Sequence, residues 1–249
     1  MKPRKRFGQH FLHDPVVLKR IVDAVNPARD DCVVEIGPGE GALTRPLLER
    51  LDRLTAVEID RDLAAALSNE FPGSRLVLVN ADVFDHDFSA YPAGFRIVGN
   101  LPYNISTPIL FHLARYADRV RDLHFMLQKE VVDRMVARHS TPDYGRLSVT
   151  LQVRFAMEKL FNVGPGAFRP PPKVESAVVR LVPLKEKLQC DQALFEKIVR
   201  EAFSARRKTL RNALPLAAHD YEELGIDPQL RPENLSPADY VRITQACAR

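Results

Sequence analysis

Four consecutive residues, Asn100-Leu101-Pro102-Tyr103, have the groups and the spacing needed to hold a planar amino group. The Asn100 side-chain oxygen is a hydrogen-bond acceptor. Pro102 lacks an N–H and has a fixed φ, so it can hold the Leu101 carbonyl as a second acceptor. Tyr103 adds a flat aromatic face. This set suits an exocyclic amine such as that of adenine; the alternative is a strand-ending turn with a packed tyrosine.

The amine of adenine is a poor nucleophile because its lone pair is delocalised into the ring. Hydrogen bonds from both of its N–H groups to fixed acceptors favour a pyramidal nitrogen, which helps the transition state more than the ground state. We therefore expect Asn100, Leu101, Pro102 and Tyr103 to be catalytic residues for a reaction at an adenine nitrogen.

A glycine-containing segment, 37–41 (GPGEG), lies between a short apolar run, 32–36, and a helical pattern. Strand, glycine loop and helix form a typical nucleotide-binding start, because glycines let the backbone approach a ligand. We expect Gly37 and Gly39 to contact the cofactor and Glu58, about 20 residues further on, to accept hydrogen bonds from ribose hydroxyls. The spacing also fits a dinucleotide fingerprint, so NAD is an alternative.

Asp82 follows the third apolar run of the chain, as Glu58 follows the second. At the carboxyl end of a parallel strand its carboxylate can accept from the amine of a cofactor adenine, the alternative being an aspartate that caps its own loop. Asp60 and Asp62 are better explained as charges at the start of a helix.

Apolar runs alternate with helical patterns along most of the chain, which predicts an α/β fold with a doubly wound, mainly parallel sheet closed by a final antiparallel hairpin. Helices are expected at 15–25, 129–137 and 146–155, with Asp14 as an N-cap and Ser106 or Thr107 as another. From 185 the pattern is helical only. We predict a catalytic domain, 1–184, and a small all-helical RNA-binding domain, 185–249. The predicted strands are 32–36, 54–59, 75–79, 95–98, 122–127, 159–163 and 176–182.

The loop between the last two predicted strands contains three consecutive prolines, which stiffen it. Such a loop can hold Phe168 in place at little ordering cost, so that its ring covers the face of the base opposite Tyr103. The alternative is that Phe168 is a hydrophobic plug.

The net charge of +4 is modest, but the cations are clustered. Either cluster alone could be a solvated surface. Two clusters around a site for an adenine amine indicate a nucleic-acid partner, since neither has the apolar face of a membrane-binding helix. The expected RNA-binding residues are Lys5, Arg6, Arg206, Arg207, Lys208 and Arg211.

Other signals narrow the class of protein. No apolar run approaches the length of a membrane span, and the basic start is not followed by the apolar segment of a secretory signal. The cysteines, Cys32, Cys190 and Cys247, are far apart and have no metal-ligand spacing. We expect a cytoplasmic protein without a metal site.

Taken together, these segments resemble the ribosomal RNA adenine N6-dimethyltransferases. The resemblance covers nearly the whole chain through FGQHFL, EIGPGEGALT, EID, NLPYNIS, FRPPPKVESAVV and the basic C-terminal segment. It implies a Rossmann-like methyltransferase sheet with helices on both faces, and S-adenosylmethionine as the cofactor, with S-adenosylhomocysteine as its product and no metal. It also implies flipping of the target base. The cofactor contacts it implies are His10, Leu12, Gly37, Glu58, Asp82 and Asn100, with His10 at a position where many relatives carry asparagine.

Within that family, FRPPPKVESAVV and the C-terminal segment look most like the members that dimethylate two adjacent adenosines near the 3′ end of 16S rRNA. That resemblance implies immature small ribosomal subunits as the substrate, and we expect a monomer. Two alternatives remain: a 23S rRNA methyltransferase that confers macrolide resistance, and a ribosome-assembly factor that acts mainly by binding. The NAD interpretation leaves Asn100-Leu101-Pro102-Tyr103 and the basic helical segment unexplained.

Overall fold

A computed structural model describes residues 10–71, 73, 75–186, 190–214 and 216–248. The chain divides into two compact units. One comprises the residues up to Val132 together with Met157–Pro183, and the other comprises Asp133–Ala156 together with the residues from Leu184 onward. Lys5 and Arg6, two of the expected RNA-binding residues, lie outside the described part.

The strands and helices follow one another much as the apolar patterns indicated. The strands are β1 (Phe11–Leu12), β2 (Val33–Ile36), β3 (Leu54–Glu58), β4 (Leu76–Asn80), β5 (Phe95–Asn100), β6 (Val120–Gln128), β7 (Phe155–Val163), β8 (Phe168–Arg169) and β9 (Ser176–Pro183). The helices are α1 (Pro15–Val25), α2 (Thr44–Arg50), α3 (Arg61–Glu70), α4 (Ser106–Ala114), α5 (Lys129–Val136), α6 (Arg146–Gln152), α7 (Gln192–Ser204), α8 (Leu210–Ala213), α9 (Ala218–Leu224) and α10 (Pro237–Cys247).

Seven strands form the main sheet, in the order β4-β3-β2-β5-β6-β9-β7. The first five are parallel, and β9 is antiparallel to β6, which confirms the doubly wound, mainly parallel sheet. The chain moves outward in one direction from β2 and in the other from β5. A crevice therefore opens beyond the carboxyl ends of these two neighbouring strands, where α/β proteins bind ligands.

Gly99 permits the close approach of β5 to β2 beneath this crevice. A Cβ atom on Gly99 would lie 2.6 Å from the carbonyl oxygen of Ile36, its partner in the register of the two strands. A larger residue would push the strands apart just before Asn100.

A buried ion pair fixes β5 to β6 at the other end of the sheet. The Nε and Nη2 atoms of Arg96 each donate to a different carboxylate oxygen of Asp122, both at 2.8 Å. Nη1 donates to Asp31 at 2.9 Å. This two-bond geometry holds the strands in register, and removing Asp122 would leave the buried guanidinium with less compensation for its charge.

The helix-capping predictions have mixed outcomes. Asp14 caps α1 and Asp60 caps α3, each by accepting main-chain N–H groups of the first turn. The predicted capping by Ser106 or Thr107 is wrong: the residue at the cap of α4 is Ile105, which makes no side-chain cap. The Ser106 hydroxyl donates to the Tyr103 carbonyl at 3.2 Å instead.

The second unit has a hydrophobic core of its own, formed by α6, α7, α10 and neighbouring segments. Tyr144 and Phe195 are fully buried there, and the Tyr144 hydroxyl donates to the Leu235 carbonyl at 2.9 Å. Segment 133–156 therefore packs with the C-terminal helices, whereas the division into 1–184 and 185–249 assigns it to the catalytic domain. The helix predicted at 146–155 is also shorter than expected, because it ends at Gln152 and β7 begins at Phe155.

Membrane-spanning helices and clusters of metal-binding side chains are both absent from the described residues. None of the helices there is long and apolar enough to cross a membrane. Among the same residues, no group of three or more His, Cys, Asp or Glu is arranged to hold a metal ion.

Candidate active site

A cavity of about 400 Å³ lies in the crevice beyond β2 and β5. Most of the residues predicted to bind the cofactor or the substrate lie in its wall. They come from the start of the described chain, the glycine segment, the ends of β3 and β4, and the segment after β5: His10, Leu12, Gly37, Gly39, Glu58, Asp82, Asn100, Leu101, Pro102 and Tyr103. The topology thus brings together residues that are far apart in the sequence.

Glu58 is fixed at one side of this cavity. Its Oε2 atom accepts the Gly39 N–H at 3.1 Å, its Oε1 atom accepts the Asp60 N–H at 2.9 Å, and its side chain is almost fully buried. Burial raises the pKa of Glu58, while the two N–H groups act in the opposite direction. The carboxylate is held in one orientation, with lone pairs left to accept from hydroxyl groups of a ligand.

Asp82 lies just beyond the next strand end, where it caps its own loop and also lines the cavity, so the structure is compatible with both of the roles considered for it. Its Oδ1 atom accepts the Phe84 N–H at 3.0 Å, which stabilises its own loop, and the residue also lines the cavity. Two apolar side chains, Ile59 and Phe84, border the same part of the cavity and are 48% and 39% exposed. Sequence reasoning missed both. Large apolar residues placed just after an acidic strand end were the available signal.

The glycine segment adopts backbone conformations that side chains rarely allow. Gly37 has φ +65° and Gly39 has φ +58°, both in the left-handed region. A Cβ on Gly39 would also lie 3.2 Å from the ring of Phe11. Glycine is therefore required at 39 both for the turn and for the packing of the N-terminal segment on it.

Asn100 is oriented by the N-terminal segment. Its Nδ2 atom donates to the His10 carbonyl at 3.1 Å, which leaves Oδ1 as the acceptor end of the amide. The following residues form a tight turn in which the Leu101 N–H donates to the Met126 carbonyl and the Ile105 N–H to the Pro102 carbonyl. The backbone that carries the two expected acceptors is thus held in place by hydrogen bonds.

Tyr103 is held at its tip and on its face. Its hydroxyl shares a 2.5 Å hydrogen bond with the Ser176 hydroxyl, and its ring stacks with that of His10 at 5.5 Å between centroids and 29° between planes. Burial raises the pKa of Tyr103, so the phenol is neutral and does not serve as a base at neutral pH.

The described start of the chain folds back onto the first unit. Phe11–Leu12 pairs antiparallel with Phe168–Arg169. The sequence left two roles open for Phe168, and the structure supports the plug. Its side chain is 2% exposed, belongs to the hydrophobic core together with Leu12, and is not part of the cavity wall. The base-stacking role is not supported, because the pairing of β1 with β8 covers the ring.

Glu35, inside the apolar strand β2, was not selected from the sequence. It lines the cavity, is almost fully buried, and accepts a 2.7 Å hydrogen bond from the Thr44 hydroxyl. Burial raises the pKa of Glu35 to about 7, against the effect of Thr44. A carboxylate within an otherwise apolar run was the signal that could have found it.

These groups fit an adenosine-bearing cofactor such as S-adenosylmethionine. Glu58 offers oriented acceptors for ribose hydroxyls, Asp82 an acceptor for an adenine amine, and Ile59 with Phe84 apolar surface for a ring.

A larger groove of about 940 Å³ runs along α1, α2 and α3, but its cations are neutralised: Lys19 and Arg50 pair with Asp23, and Arg45 pairs with Glu70.

A comparison with protein families decides what this site belongs to. The profile of the family described as Ribosomal RNA adenine dimethylase matches residues 1–249. The chain belongs to this family. It is therefore an S-adenosylmethionine-dependent rRNA adenine dimethylase, as the sequence motifs implied.

Individual relatives agree with the family. The dimethylase is 58% identical over 246 residues to Ribosomal RNA small subunit methyltransferase A of Nitrosospira multiformis. The match covers 97% of this chain and 95% of that protein. It is 59% identical to the protein of the same name from Chromobacterium violaceum, with 97% and 94% covered.

Solved structures share the fold. A dimethyladenosine transferase from Plasmodium falciparum superposes with a TM-score of 0.82 at 25% identity, covering 94% of this chain and 96% of that one. The 23S rRNA methyltransferase ErmE superposes with a TM-score of 0.71 at 28% identity, covering 96% and 100%. Both therefore share the fold of the dimethylase.

The predicted RNA-binding residues that the structure describes fall into two groups. Arg206 donates to Glu233 at 2.6 Å and to the Pro142 carbonyl at 2.7 Å, so much of its hydrogen-bonding capacity is used within the unit. Arg207, Lys208 and Arg211 are exposed, and within the described residues their side chains form no ion pair. These three are better placed than Arg206 to contact phosphates.

Proposed function

We propose that this dimethylase transfers methyl groups from S-adenosylmethionine to the N6 amines of two adjacent adenosines near the 3′ end of 16S rRNA, in immature small subunits in the cytoplasm. The observation that carries this is the single cavity that joins Glu58 and Asp82 to Asn100 and Tyr103. The choice of 16S rRNA is supported by relatives at 55–59% identity that are named small subunit methyltransferases.

The cofactor half of the site is assigned to the residues beyond β2, β3 and β4. Glu58 holds the ribose hydroxyls, Asp82 accepts from the adenine amine, and the backbone at Gly37 and Gly39 approaches the rest of the molecule. The polar contacts implied for His10 and Leu12 would come from the main chain of the N-terminal segment. When bound, S-adenosylmethionine supplies an electrophilic methyl group on a positively charged sulfur.

The substrate half consists of the segment after β5. The Asn100 Oδ1 and the Leu101 carbonyl accept the two N–H groups of the adenine amine and so direct its lone pair at the methyl donor. Tyr103 holds the ring. Because the neutral tyrosine is no base at this position, the proton released after transfer goes to solvent.

The second methylation places a different demand on the same acceptors. Monomethyladenine keeps one N–H, so it satisfies only one of the two acceptors that bind adenine. We propose that the space around Asn100 and Leu101 admits the first methyl group, with the remaining N–H on a single acceptor.

RNA binding is assigned to Arg207, Lys208 and Arg211, with Arg206 ordering the segment that carries them, and to Lys5 and Arg6. An adenosine inside a paired stack cannot reach the cavity, so the target base must be flipped out of its helix. Phosphate contacts set the register of the RNA, and the pocket reads the base.

The test is transfer of a radiolabelled methyl group to small subunits that lack their 3′-end methyl groups, with protein-free 23S rRNA as a competitor. We expect about four methyl groups per small subunit, since each of two adenines receives two through its exocyclic nitrogen. Label on 23S rRNA would transfer the assignment to the activity of ErmE, the structural relative at 28% identity.

The assembly-factor alternative is tested by the Asn100→Ala variant. A dimethylase whose chemistry matters loses methyl transfer in this variant and still binds immature subunits. If cells that carry only Asn100→Ala assemble small subunits at the normal rate, binding rather than methylation is the essential role.

We further propose that the enzyme is a monomer. We also propose that it needs no metal, because the sulfur loses its charge as the methyl group leaves and needs no Lewis acid. Enzyme passed over a chelating resin should transfer methyl groups at an unchanged rate. Analytical ultracentrifugation should give the mass of one chain.

A further inference from the structure

His10 contacts three residues of two separate segments, the one that begins at the end of β5 and the proline-rich loop. Its carbonyl accepts from the Asn100 side chain at 3.1 Å, its ring stacks with Tyr103, and its Nδ1 atom lies 2.8 Å from the Pro170 carbonyl. Along the sequence, Asn100 lies 90 residues and Pro170 lies 160 residues from His10. One residue thus links the substrate acceptors to the proline-rich loop.

The imidazole is fixed by these contacts. A carbonyl can only accept, so Nδ1 carries a proton and donates to Pro170. Offset stacking at 5.5 Å is the geometry favoured for aromatic pairs. Together with the bond between the Tyr103 and Ser176 hydroxyls, the stack leaves the Tyr103 ring little freedom to rotate.

We propose that the His10 ring is a positioning residue that supports Tyr103 from behind, so that the tyrosine presents its other face to the target adenine. This rests on the proposed function of the same site, and it gives the N-terminal segment a role in binding the RNA base as well as the cofactor.

Three variants separate the contributions of His10. Its main-chain carbonyl, and with it the bond to Asn100, is retained in all of them. His10→Phe keeps the flat ring and loses the donor to Pro170, His10→Asn keeps a donor and loses the ring, and His10→Ala loses both. His13→Ala, which removes an exposed side chain of the same segment, is the matched control.

We expect His10→Ala and His10→Asn to raise the KM for small subunits by about five- to tenfold, the value of one aromatic stack. A larger share of their product should be monomethylated, because a loosely held base leaves before its second methylation. His10→Phe, which keeps the ring, should change both measurements less than His10→Ala and His10→Asn do, and His13→Ala should resemble the wild type. Urea unfolding and cofactor titration show whether the fold and the cofactor half are intact.

Two results would overturn the proposal. A lower KM in His10→Ala would mean that the ring occupies the place of the base and must leave it. Wild-type behaviour of His10→Asn together with impaired His10→Phe would show that the bond to Pro170 is what matters. The stack can also be measured by NMR in the absence of RNA. Tyr103→Leu should shift the resonances of the His10 ring and leave those of the His13 ring in place. This measurement remains valid if the wild type methylates neither rRNA, an outcome that would refute only the proposed function.

Discussion

The Oε2 atom of Glu58 accepts the main-chain N–H of Gly39 at 3.1 Å, so the acidic end of β3 and the glycine segment after β2 form one unit. In Glu58→Gln an amide NH2 replaces one oxygen and faces an N–H group. We expect the Kd for S-adenosylmethionine to rise by about 10- to 100-fold, since hydrogen bonds to a charged acceptor contribute about 1.5–3 kcal/mol. Isothermal titration calorimetry measures this. Glu49→Gln on α2, an exposed position, should leave the Kd unchanged; equal effects of the two variants would contradict the role of Glu58.

Tyr103 contributes a ring and a hydroxyl, and two substitutions separate them. Tyr103→Phe removes the 2.5 Å bond to Ser176 but keeps the ring, and should lower kcat/KM by about two- to tenfold, the effect of one neutral hydrogen bond. Tyr103→Leu also removes the face on which the base stacks and should cost at least a further tenfold. Steady-state methyl transfer to small subunits distinguishes the two. If Tyr103→Leu is no worse than Tyr103→Phe, the ring does not contact the base.

Glu35 gives the fold a specific dependence on pH. Its pKa rises from an ordinary 4.5 to about 7 in the folded chain, mainly through burial. The folded state therefore binds this proton more tightly than the unfolded state, and the associated stability is present below pH 4.5 and lost as the pH rises towards 7. The Glu35→Gln variant does not lose this stability as the pH rises. We therefore expect the free energy of unfolding of Glu35→Gln, minus that of the wild type, to be about 2–3 kcal/mol higher at pH 8 than at pH 5.

Urea unfolding of the cofactor-free protein at the two pH values measures this difference. Groups that titrate in both proteins cancel in the comparison. Glu49→Gln, which removes an exposed carboxylate, provides the baseline. A constant difference between Glu35→Gln and the wild type would show that Glu35 is ionised in the folded chain at both pH values.

The buried Arg96–Asp122 pair should contribute far more to stability than an exposed ion pair does. Asp122→Asn leaves the buried Arg96 guanidinium without its two-bond partner and should lower the free energy of unfolding by about 3–5 kcal/mol. Asp52→Asn breaks the exposed pair with Arg29 and should cost no more than about 1 kcal/mol. Similar costs in urea unfolding would indicate that water reaches the Arg96 site.

The sequence was most informative where local chemistry determines local structure. Asp14 and Asp60 cap helices because short acidic side chains accept N–H groups at that position whatever surrounds them. Strand ends carrying Glu58, Asp82 and Asn100 follow from apolar runs, and parallel strands bring such ends to one edge of the sheet. The catalytic half of the fold was predictable for this reason.

Where distant segments meet, sequence patterns carry little information. Phe168 looks like a residue of the pocket because its loop is stiff, but β1 covers it, and nothing local to residue 168 indicates this. Similarly, Val149 fits the pattern of any buried helix, and only packing shows that it shares a core with Tyr144 and Phe195. The stack of His10 on Tyr103 depends on the same kind of long-range contact.

The antiparallel pairing of Phe11–Leu12 with Phe168–Arg169 also bears on how the enzyme is made. During translation the first of these strands leaves the ribosome long before its partner exists. The hydrogen bond between the Tyr103 and Ser176 hydroxyls likewise cannot form until Ser176 has been synthesised. Contacts this distant form only after the intervening chain has been synthesised. A nascent chain therefore carries no finished active site, and an enzyme that modifies ribosomal RNA becomes competent only once most of it has emerged from a ribosome.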